Sequence, residues 1–219
     1  MGRKKGWVNV KLFKKKPVLG ILRGIGPEVA EPLTETVISA GLGFIEVTMN
    51  TNGAPGLIDK MVRQAKGRIT VGAGTVLDID SLKTALGAGA SFIVMPVLIK
   101  DAAEYCVKNK IPFFPGALTP QEIYNAWNAG ATMVKVFPSN FFGPEYFTEI
   151  KGPFNNIELL ACGGVTPDNM KDFFRNGAGA VAFGASVFKK EWLDKKDFAS
   201  IGAVVKQFVD QVTEIPSPL

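Results

Sequence analysis

Residues 69–97, ITVGAGTVLDIDSLKTALGAGASFIVMPV, contain the pattern that decides the fold. The apolar segments 69–75 and 92–97 are predicted strands, and the amphipathic segment 80–89 between them is a predicted helix that closes on glycine. A strand, a helix and a second strand in this order form the unit that joins two parallel strands. This stretch therefore predicts one unit of a parallel sheet.

The same unit repeats from Pro17 almost to the end of the chain. Six further strands are predicted, at residues 18–24, 44–49, 112–117, 133–138, 157–164 and 180–186. Eight strands, each followed by a helix, favour an α/β fold, the (β/α)8 TIM barrel, in a single domain. A doubly wound sheet is the main alternative, but no G-x-G-x-x-G follows the first strand and no second domain is indicated.

The positive charge of the chain lies at its N-terminus. Of the net charge of +5, the seven Lys and Arg of residues 1–16 supply +7, which leaves −2 (+5 minus +7) for residues 17–219. We predict a basic N-terminal segment with a helix at 1–16, and a barrel with a C-terminal helix at 17–219. No aromatic-rich RNA-binding motif accompanies the basic residues, so a solvated helix is favoured over a nucleic-acid or membrane tail.

Composition predicts a soluble protein. Hydrophobic residues make up 47% and charged residues 21% of the chain, an ordinary globular balance. No apolar run approaches the ~20 residues that a membrane helix needs. The N-terminus lacks the apolar core of a signal peptide. We expect a cytoplasmic protein that binds neither membrane nor nucleic acid.

The chain has no histidine and only two cysteines, Cys106 and Cys162. The lack of histidine excludes a Ser-His-Asp site, a Cys-His site and a histidine-ligated metal in this chain. The cysteines form no C-x-x-C, so neither a disulfide framework nor a zinc site is indicated. Acid–base chemistry at neutral pH would use Glu, Asp, Lys, Tyr or Cys.

A lysine interrupts the apolar strand at 133–138, MVKVFP. Side chains alternate along a strand, so Lys135 shares a face with Met133 and Phe137, while Val134 and Val136 share the other. The valines suit packing against helices, which turns Lys135 toward the barrel interior. An amine removed from water favours its neutral form, and a neutral amine can form a Schiff base with a carbonyl.

A glutamate occupies the matching position in the second strand, FIEVTM. Glu46 shares a face with Phe44 and Thr48 and is also predicted to point inward. Strands two and six are both even-numbered, and side chains from alternate strands share a layer, so Glu46 and Lys135 can converge. Glu46 could then move protons to and from a substrate. A structural buried ion pair is the alternative, and this pattern leaves both open.

Two glycine-rich segments follow strands seven and eight. They are residues 162–165, CGGV, and residues 183–186, FGAS. Glycine lets backbone N–H groups approach an anion closely, and barrel enzymes often bind phosphate in the loops after these two strands. The segments predict a phosphate site, with tight turns that bind nothing as the alternative.

Further polar residues follow the first three strands: Arg23, Asn50 and Thr75. Arg23 could pair with a substrate carboxylate or phosphate, or it could be a rim arginine. Pro96 and Pro115 restrict the backbone near two other strand ends and are expected to shape the rim.

Together, these motifs resemble the bacterial 2-keto-3-deoxy-6-phosphogluconate (KDPG) aldolases, including their 6-phosphogalactonate branch. The resemblance runs from about Lys11 to Lys190. It is carried by the order and spacing of ILRGI, IEVTMNT, VGAGTV, FPGALTP, VKVFPS with FFGPEYF, and ACGGVTPDN.

The resemblance implies a class I aldolase that uses neither a metal nor a cofactor, an aldehyde-lyase on a TIM barrel that is usually a homotrimer. Lys135 matches the Schiff-base lysine, and Glu46 matches the general acid/base. Arg23, Thr75 and Pro96 match positions near the pyruvate carboxylate. The positions that match the phosphate site are Gly163, Gly164, Gly184 and Ser186.

Two positions depart from the pattern of many phosphogluconate enzymes. Asn50 stands where many members have arginine, and the phosphogalactonate branch has asparagine there. Cys162 stands where many have threonine, next to the expected substrate C4 hydroxyl, and a thiol is a weak hydrogen-bond donor. We therefore leave the preferred C4 epimer open and interpret Cys162 as a wall of the pocket.

The expected reaction is the reversible cleavage of KDPG into pyruvate and D-glyceraldehyde 3-phosphate. Three alternatives stay open: the C4-epimeric 6-phosphogalactonate, unphosphorylated 4-hydroxy-2-oxoglutarate, and a sugar-phosphate-binding barrel without catalysis.

Overall fold

The structure, a computed structural model, describes residues 10–214. Eight parallel strands form a closed barrel in chain order, and the first strand pairs with both the second and the eighth. The strands are β1 (Val18–Leu22), β2 (Phe44–Thr48), β3 (Thr70–Gly74), β4 (Ile93–Met95), β5 (Phe113–Ala117), β6 (Val134–Val136), β7 (Leu159–Cys162) and β8 (Ala180–Phe183). This closure confirms the predicted (β/α)8 TIM barrel and excludes the doubly wound sheet.

Helices alternate with the strands and form the outer layer of the barrel. They are α1 (Val10–Lys15), α2 (Pro27–Ser39), α3 (Ala54–Ala65), α4 (Ile79–Gly87), α5 (Lys100–Lys108), α6 (Pro120–Asn128), α7 (Glu145–Lys151), α8 (Met170–Arg175), α9 (Lys190–Asp194) and α10 (Phe198–Thr213). A 3-10 helix, Ser139–Phe141, lies between β6 and α7. Helix α1 is the N-terminal helix that the sequence predicts.

The predicted division at residue 16 is only partly covered by the described residues. Residues 1–9, which contain three of the basic side chains, and residues 215–219 lie outside them. The division into a basic segment 1–16 and a barrel 17–219 therefore stays a prediction.

The stretch 69–97 folds as its pattern indicates, into β3, α4 and β4. Helix α4 begins after Asp78, whose carboxylate accepts a hydrogen bond from the Ser81 N–H at 2.6 Å. Past its end the chain reverses at Gly89, whose φ of +102° suits glycine. Both strands are shorter than predicted at both ends, and β3 ends before Thr75, which has a φ of +54°.

Inward and outward side chains form two separate apolar clusters. The outward valines of β6 pack with the helices, whereas Phe44 and Met133 lie in the inner cluster, as the alternation predicts. Phe13 of α1 inserts into this inner cluster, with its ring centroid 4.9 Å from that of Phe44 and 5.4 Å from that of Phe114. Phe44 begins β2, so α1 covers the N-terminal end of the barrel and a site is left to the opposite end.

Candidate active site at the C-terminal ends of the strands

Lys135 and Glu46 are buried charged residues on β6 and β2. Lys135 is 8% exposed and Glu46 is 1% exposed. The ion pairs within 4.0 Å in the described part of the chain do not include these two side chains. Glu46 Oε2 is buried and has no hydrogen-bond partner among residues 10–214. Glu46 and Lys135 are therefore not within ion-pair distance of one another, although the charge of Lys135 still acts on the Glu46 carboxyl group.

Burial changes the acidity of Glu46. Loss of water around the carboxyl group raises its pKa from 4.5 to about 7, while the positive charges of Lys135 and Arg23 act in the opposite direction. A carboxyl group with a pKa near neutrality can both give and accept a proton at physiological pH. Glu46 thus has the acidity that a general acid/base requires.

Gly74, at the end of β3, provides the space for the Glu46 carboxyl group. A Cβ atom built on Gly74 would lie 2.1 Å from Glu46 Oε1. Gly74 faces Thr48 in the β2–β3 ladder, two residues beyond Glu46. The Glu46 carboxyl group in its present position therefore leaves no room for a side chain at Gly74, a residue that the sequence analysis did not single out.

Arg23 and Thr75 meet across the end of β2. The Arg23 Nη2 group donates to Thr75 Oγ1 at 3.3 Å. Thr75 is β-branched and yet has a φ of +54°, an uncommon conformation that costs of order 1–3 kcal/mol. The structure thus brings together two predicted site residues that are 52 positions apart in the chain.

Asn50 lies in the turn after β2 and is exposed. The adjacent Thr51 is buried, and its hydroxyl accepts a hydrogen bond from the Gly24 N–H at 3.0 Å and lies 3.0 Å from the Thr48 hydroxyl. Thr51 therefore joins the turns after β1 and β2. The sequence analysis did not identify this residue.

Two neighbouring cavities open at the C-terminal ends of the strands, and another of about 670 Å³, also lined by Arg23, lies beyond β1 and β8. A cavity of about 300 Å³ is lined by residues that include six of the predicted ones: Arg23, Cys162, Gly163, Gly164, Gly184 and Ser186. A cavity of about 290 Å³ lies over β4 and β5 and includes Pro96. Four predicted residues line neither of these two cavities: Lys135, Glu46, Asn50 and Thr75.

Phe137 separates the two cavities and lines both. It is 43% exposed, and its ring centroid lies 5.3 Å from the Lys135 Nζ atom. Lys135 therefore lies next to the boundary between them. The signal for Phe137 was present in the sequence, because it lies two positions after Lys135 on the same face of the strand and is nearer the C-terminal end.

The glycine-rich turn after β7 packs against the turn after β6. Gly163 and Gly164 have φ values of +101° and +72°. A Cβ atom on Gly164 would lie 2.5 Å from the Asn140 Cβ atom, so no larger residue fits there without movement. The Asn169 side chain donates to the Gly164 carbonyl at 2.9 Å and holds the other side of the turn.

The turn after β8 is closed by the Gly184 carbonyl, which accepts from the N–H groups of Val187 at 3.0 Å and Phe188 at 2.9 Å. The Ser186 hydroxyl donates to the Val165 carbonyl at 3.4 Å and so reaches the turn after β7. Helix α9 begins only at Lys190. The two predicted anion-binding segments thus form adjacent walls of one cavity.

The cysteines are buried and free. Burial raises the pKa of the Cys162 thiol, and it raises that of Cys106 to about 12. A thiol in this state is a poor nucleophile, and Cys162 forms part of the cavity wall. Among residues 10–214, no group of three or more His, Cys, Asp and Glu residues converges as a metal site would require.

Comparison with known proteins identifies the family. Residues 10–204 match the family described as KDPG and KHG aldolase, which is most of the chain. The chain belongs to the KDPG and KHG aldolase family. Its members are aldolases, so this protein is an enzyme, and the barrel without catalysis that the sequence left open is excluded.

Relatives of this aldolase include two bacterial enzymes. The chain is 30% identical over 199 residues to the 2-dehydro-3-deoxy-6-phosphogalactonate aldolase of Escherichia coli K12, covering 90% of this chain and 97% of that protein. It is 28% identical over 185 residues to the 2-dehydro-3-deoxy-phosphogluconate aldolase of Pseudomonas aeruginosa, covering 84% and 83%.

A solved structure described as "Native KDPGal structure" has the same fold as this aldolase. The TM-score is 0.84 at 28% identity, over 91% of this chain and 97% of that one.

In the described residues, no helix has the length and apolarity that crossing a membrane demands.

Proposed function

We propose that this aldolase is a class I enzyme that reversibly cleaves KDPG into pyruvate and D-glyceraldehyde 3-phosphate through a Schiff base on Lys135. The observation that carries the proposal is the buried Lys135 amine, which forms no ion pair with Glu46 and lies beside a cavity walled by two glycine-rich turns. A lysine amine is the side-chain group that can form a Schiff base with a carbonyl substrate.

The proposed cleavage begins when the neutral Lys135 amine attacks the C2 carbonyl of the substrate. Loss of water gives an iminium, which accepts the electron pair of the C3–C4 bond as that bond breaks. Glu46 takes the proton of the C4 hydroxyl, directly or through water, and D-glyceraldehyde 3-phosphate leaves. The remaining enamine is protonated at C3, and water hydrolyses the iminium to release pyruvate and regenerate the amine.

The two turns support a phosphate-binding role at the far end of the substrate. Gly163, Gly164, Gly184 and Ser186 line one cavity, so the backbone of both turns can approach an anion there. For the other end, Arg23 with Thr75 and the Pro96 cavity are proposed to receive the pyruvate carboxylate. Asn50, exposed in the turn after β2, is proposed to bind the substrate from the rim of the site.

The C4-epimeric 6-phosphogalactonate is a second candidate substrate. Asn50 matches the phosphogalactonate branch, and two relatives at 30% identity, from Escherichia coli and Rhizobium meliloti, are named as aldolases or probable aldolases for that compound. Cys162, where many phosphogluconate enzymes have threonine, removes a strong hydrogen-bond donor near the expected C4 hydroxyl. Comparing kcat/KM for the two epimers distinguishes them.

Unphosphorylated 4-hydroxy-2-oxoglutarate is the third candidate, since relatives named KHG/KDPG aldolase are 27% identical. It predicts little benefit from a substrate phosphate. A kcat/KM for this compound that equals the value for either phosphorylated substrate would favour it.

The assembly and location that we propose are a homotrimer in the cytoplasm, with a role in carbohydrate breakdown of the Entner-Doudoroff type. Exposed apolar side chains at the C-terminal face, including Val97, Phe141 and Phe142, support self-association. A cage described as made by fusing symmetric oligomeric domains shares the fold at a TM-score of 0.83. Light scattering of the purified protein measures the assembly, and the mass of a monomer would contradict it.

The test of the proposed function is borohydride reduction in the presence of pyruvate, followed by peptide mass spectrometry. We expect one stable adduct on Lys135 and none in Lys135→Ala, with the variant still folded by circular dichroism. Lys151→Ala is the control and should keep the adduct on Lys135. Lys151 is partly buried, and its amine donates to backbone carbonyls away from the cavity. An adduct that survives Lys135→Ala, or no adduct in the folded wild type, would overturn the assignment.

A further inference from the structure

One buried hydroxyl joins the turn that follows the lysine strand to the strand that precedes the glycine turn. Ser139 is 2% exposed, and its hydroxyl donates to the Val136 carbonyl at 2.8 Å. The same oxygen accepts from the Cys162 N–H at 3.0 Å. Ser139 therefore bonds the last residues of both β6 and β7.

The Val136 carbonyl and the Cys162 N–H face one another at the end of the β6–β7 ladder. The ladder pairs Lys135 with Leu160 and ends with Val136 paired to Ala161. In a parallel ladder of this register, the Val136 carbonyl is directed toward the Cys162 N–H. The Ser139 hydroxyl bonds both groups of this last rung, one position beyond Lys135 on one strand and one position before Gly163 on the other.

The backbone of the glycine turn is also in direct contact with the turn that carries Ser139. A Cβ atom on Gly163 would lie 3.3 Å from both the Pro138 Cα atom and the Ser139 nitrogen. A Cβ atom on Gly164 would lie 2.5 Å from the Asn140 Cβ atom and 3.4 Å from its Cα atom. The two turns thus pack backbone to backbone, and a shift of residues 138–140 would be transmitted to residues 163–164.

The opposite side of the glycine turn is held independently. The Asn169 amide donates to the Gly164 carbonyl at 2.9 Å, while its oxygen accepts from the Thr166 N–H at 2.8 Å. The Ser139 hydroxyl therefore links this turn to the strand of Lys135 by hydrogen bonds, whereas the Asn169 side chain links the turn to its own loop.

We propose that Ser139 is a positioning residue that sets the separation between the Lys135 amine and the backbone of Gly163 and Gly164. This inference rests on the proposed function, in which the amine binds the keto end of the substrate and the glycine turn binds its phosphate. Reaction rates depend steeply on such separations, because a misplacement of about 1 Å can cost 10²-fold. Ser139 thereby determines how strongly the enzyme prefers a phosphorylated aldehyde.

The test uses the aldol addition of pyruvate to D-glyceraldehyde 3-phosphate and to unphosphorylated D-glyceraldehyde. The ratio of the two kcat/KM values measures the preference for phosphate. In Ser139→Ala we expect this ratio to fall about tenfold, because the phosphorylated aldehyde loses the alignment of its two ends. Ser139→Cys keeps the side-chain volume with weaker hydrogen bonds, so its ratio is expected to fall in the same direction.

Thr34→Val is the matched control. Thr34 is fully buried in α2, and its hydroxyl donates to the Ala30 carbonyl at 2.6 Å, away from the strand ends. Thr34→Val removes a buried hydroxyl, as Ser139→Ala does. A general loss of rigidity would therefore lower the ratio of the two kcat/KM values in both variants. An equal fall in both, or an unchanged ratio in both Ser139 variants, would overturn the inference.

The wild type separates this inference from the proposed function. A wild type that forms the pyruvate adduct and prefers the phosphorylated aldehyde supports the function whatever the Ser139 variants do. A wild type that shows no preference for phosphate contradicts the phosphate site, and the inference is overturned with it.

Discussion

At the scale of single residues, burial changes the pKa of the Glu46 carboxyl group. Its carboxyl group lies inside the barrel with one oxygen unpaired among the described residues, and its pKa is raised to about 7 by the loss of water. The sequence predicts the inward direction of this side chain from strand alternation alone. The size of the pKa change depends on the surrounding structure, which excludes water from the group.

The activity of the wild type is expected to depend on the ionisation of Glu46. The base that takes the C4 proton must be ionised, so kcat/KM for cleavage should fall as pH decreases through about 7. Glu46→Gln should turn over at least 10²-fold more slowly and lack this acidic limb. A pH–rate profile of both proteins measures the effect, and equal turnover would remove Glu46 from the proton path.

The same pKa predicts a pH dependence of stability with a definite sign. Between about pH 4.5 and 7 the folded protein keeps the Glu46 proton while the unfolded chain releases it, so the free energy of unfolding falls as pH rises. Glu46→Gln lacks this loss. Relative to wild type, we expect the variant to gain about 3 kcal/mol between pH 4.5 and pH 8 in denaturant titrations. A pH-independent difference would contradict the raised pKa.

At the scale of elements, β3 shows how one strand makes room for the side chain of its neighbour. Gly74→Ala would place a methyl group within 2.1 Å of Glu46 Oε1 and force the carboxyl group to move. We expect turnover to fall at least tenfold while pyruvate capture by borohydride on Lys135 is retained. The measurement is the ratio of turnover to adduct yield.

Gly56→Ala is the control for this prediction, because a Cβ atom on Gly56 of α3 meets nothing within 4 Å. Alanine in a helix is favoured over glycine by up to about 1 kcal/mol, so this variant should be active and slightly more stable. Full turnover in Gly74→Ala would show that Glu46 tolerates displacement.

Helix α1 stabilises the opposite end of the barrel through Phe13. This ring is 2% exposed and packs edge-on against Phe44 and Phe114. Phe13→Ala should lower the free energy of unfolding by about 3–5 kcal/mol and leave the KM for substrate within twofold, because the site lies at the other end. Lys15→Ala, on the exposed face of α1, is the control. A loss below 1 kcal/mol in a denaturant titration would contradict this role of α1.

At the scale of the whole molecule, the described part of the barrel does not bring potential metal ligands together. The described residues hold no cluster of three or more potential ligands, and the whole sequence has no histidine. We expect cleavage activity to persist after dialysis against EDTA, measured by pyruvate release. Activity that is lost and then restored by a divalent metal would contradict the Schiff-base proposal.

The sequence by itself determined the barrel, the order of its strands and the faces of Lys135 and Glu46. These features follow from local periodicity, since side chains alternate along a strand with a period of two and along a helix with a period of 3.6. They need no knowledge of distances between remote residues, and the family motifs added the expected role of each residue.

Only the tertiary structure decided which of these residues meet and in what state. Three features join segments that are far apart in the chain or that lie in adjoining turns. They are the contact between Arg23 and Thr75, the position of Phe137 between two cavities and the bridging hydroxyl of Ser139. Such contacts depend on the closure of the barrel and on the path of each turn beyond its strand. The raised pKa of Glu46 has the same origin, because the exclusion of water is a property of the assembled interior.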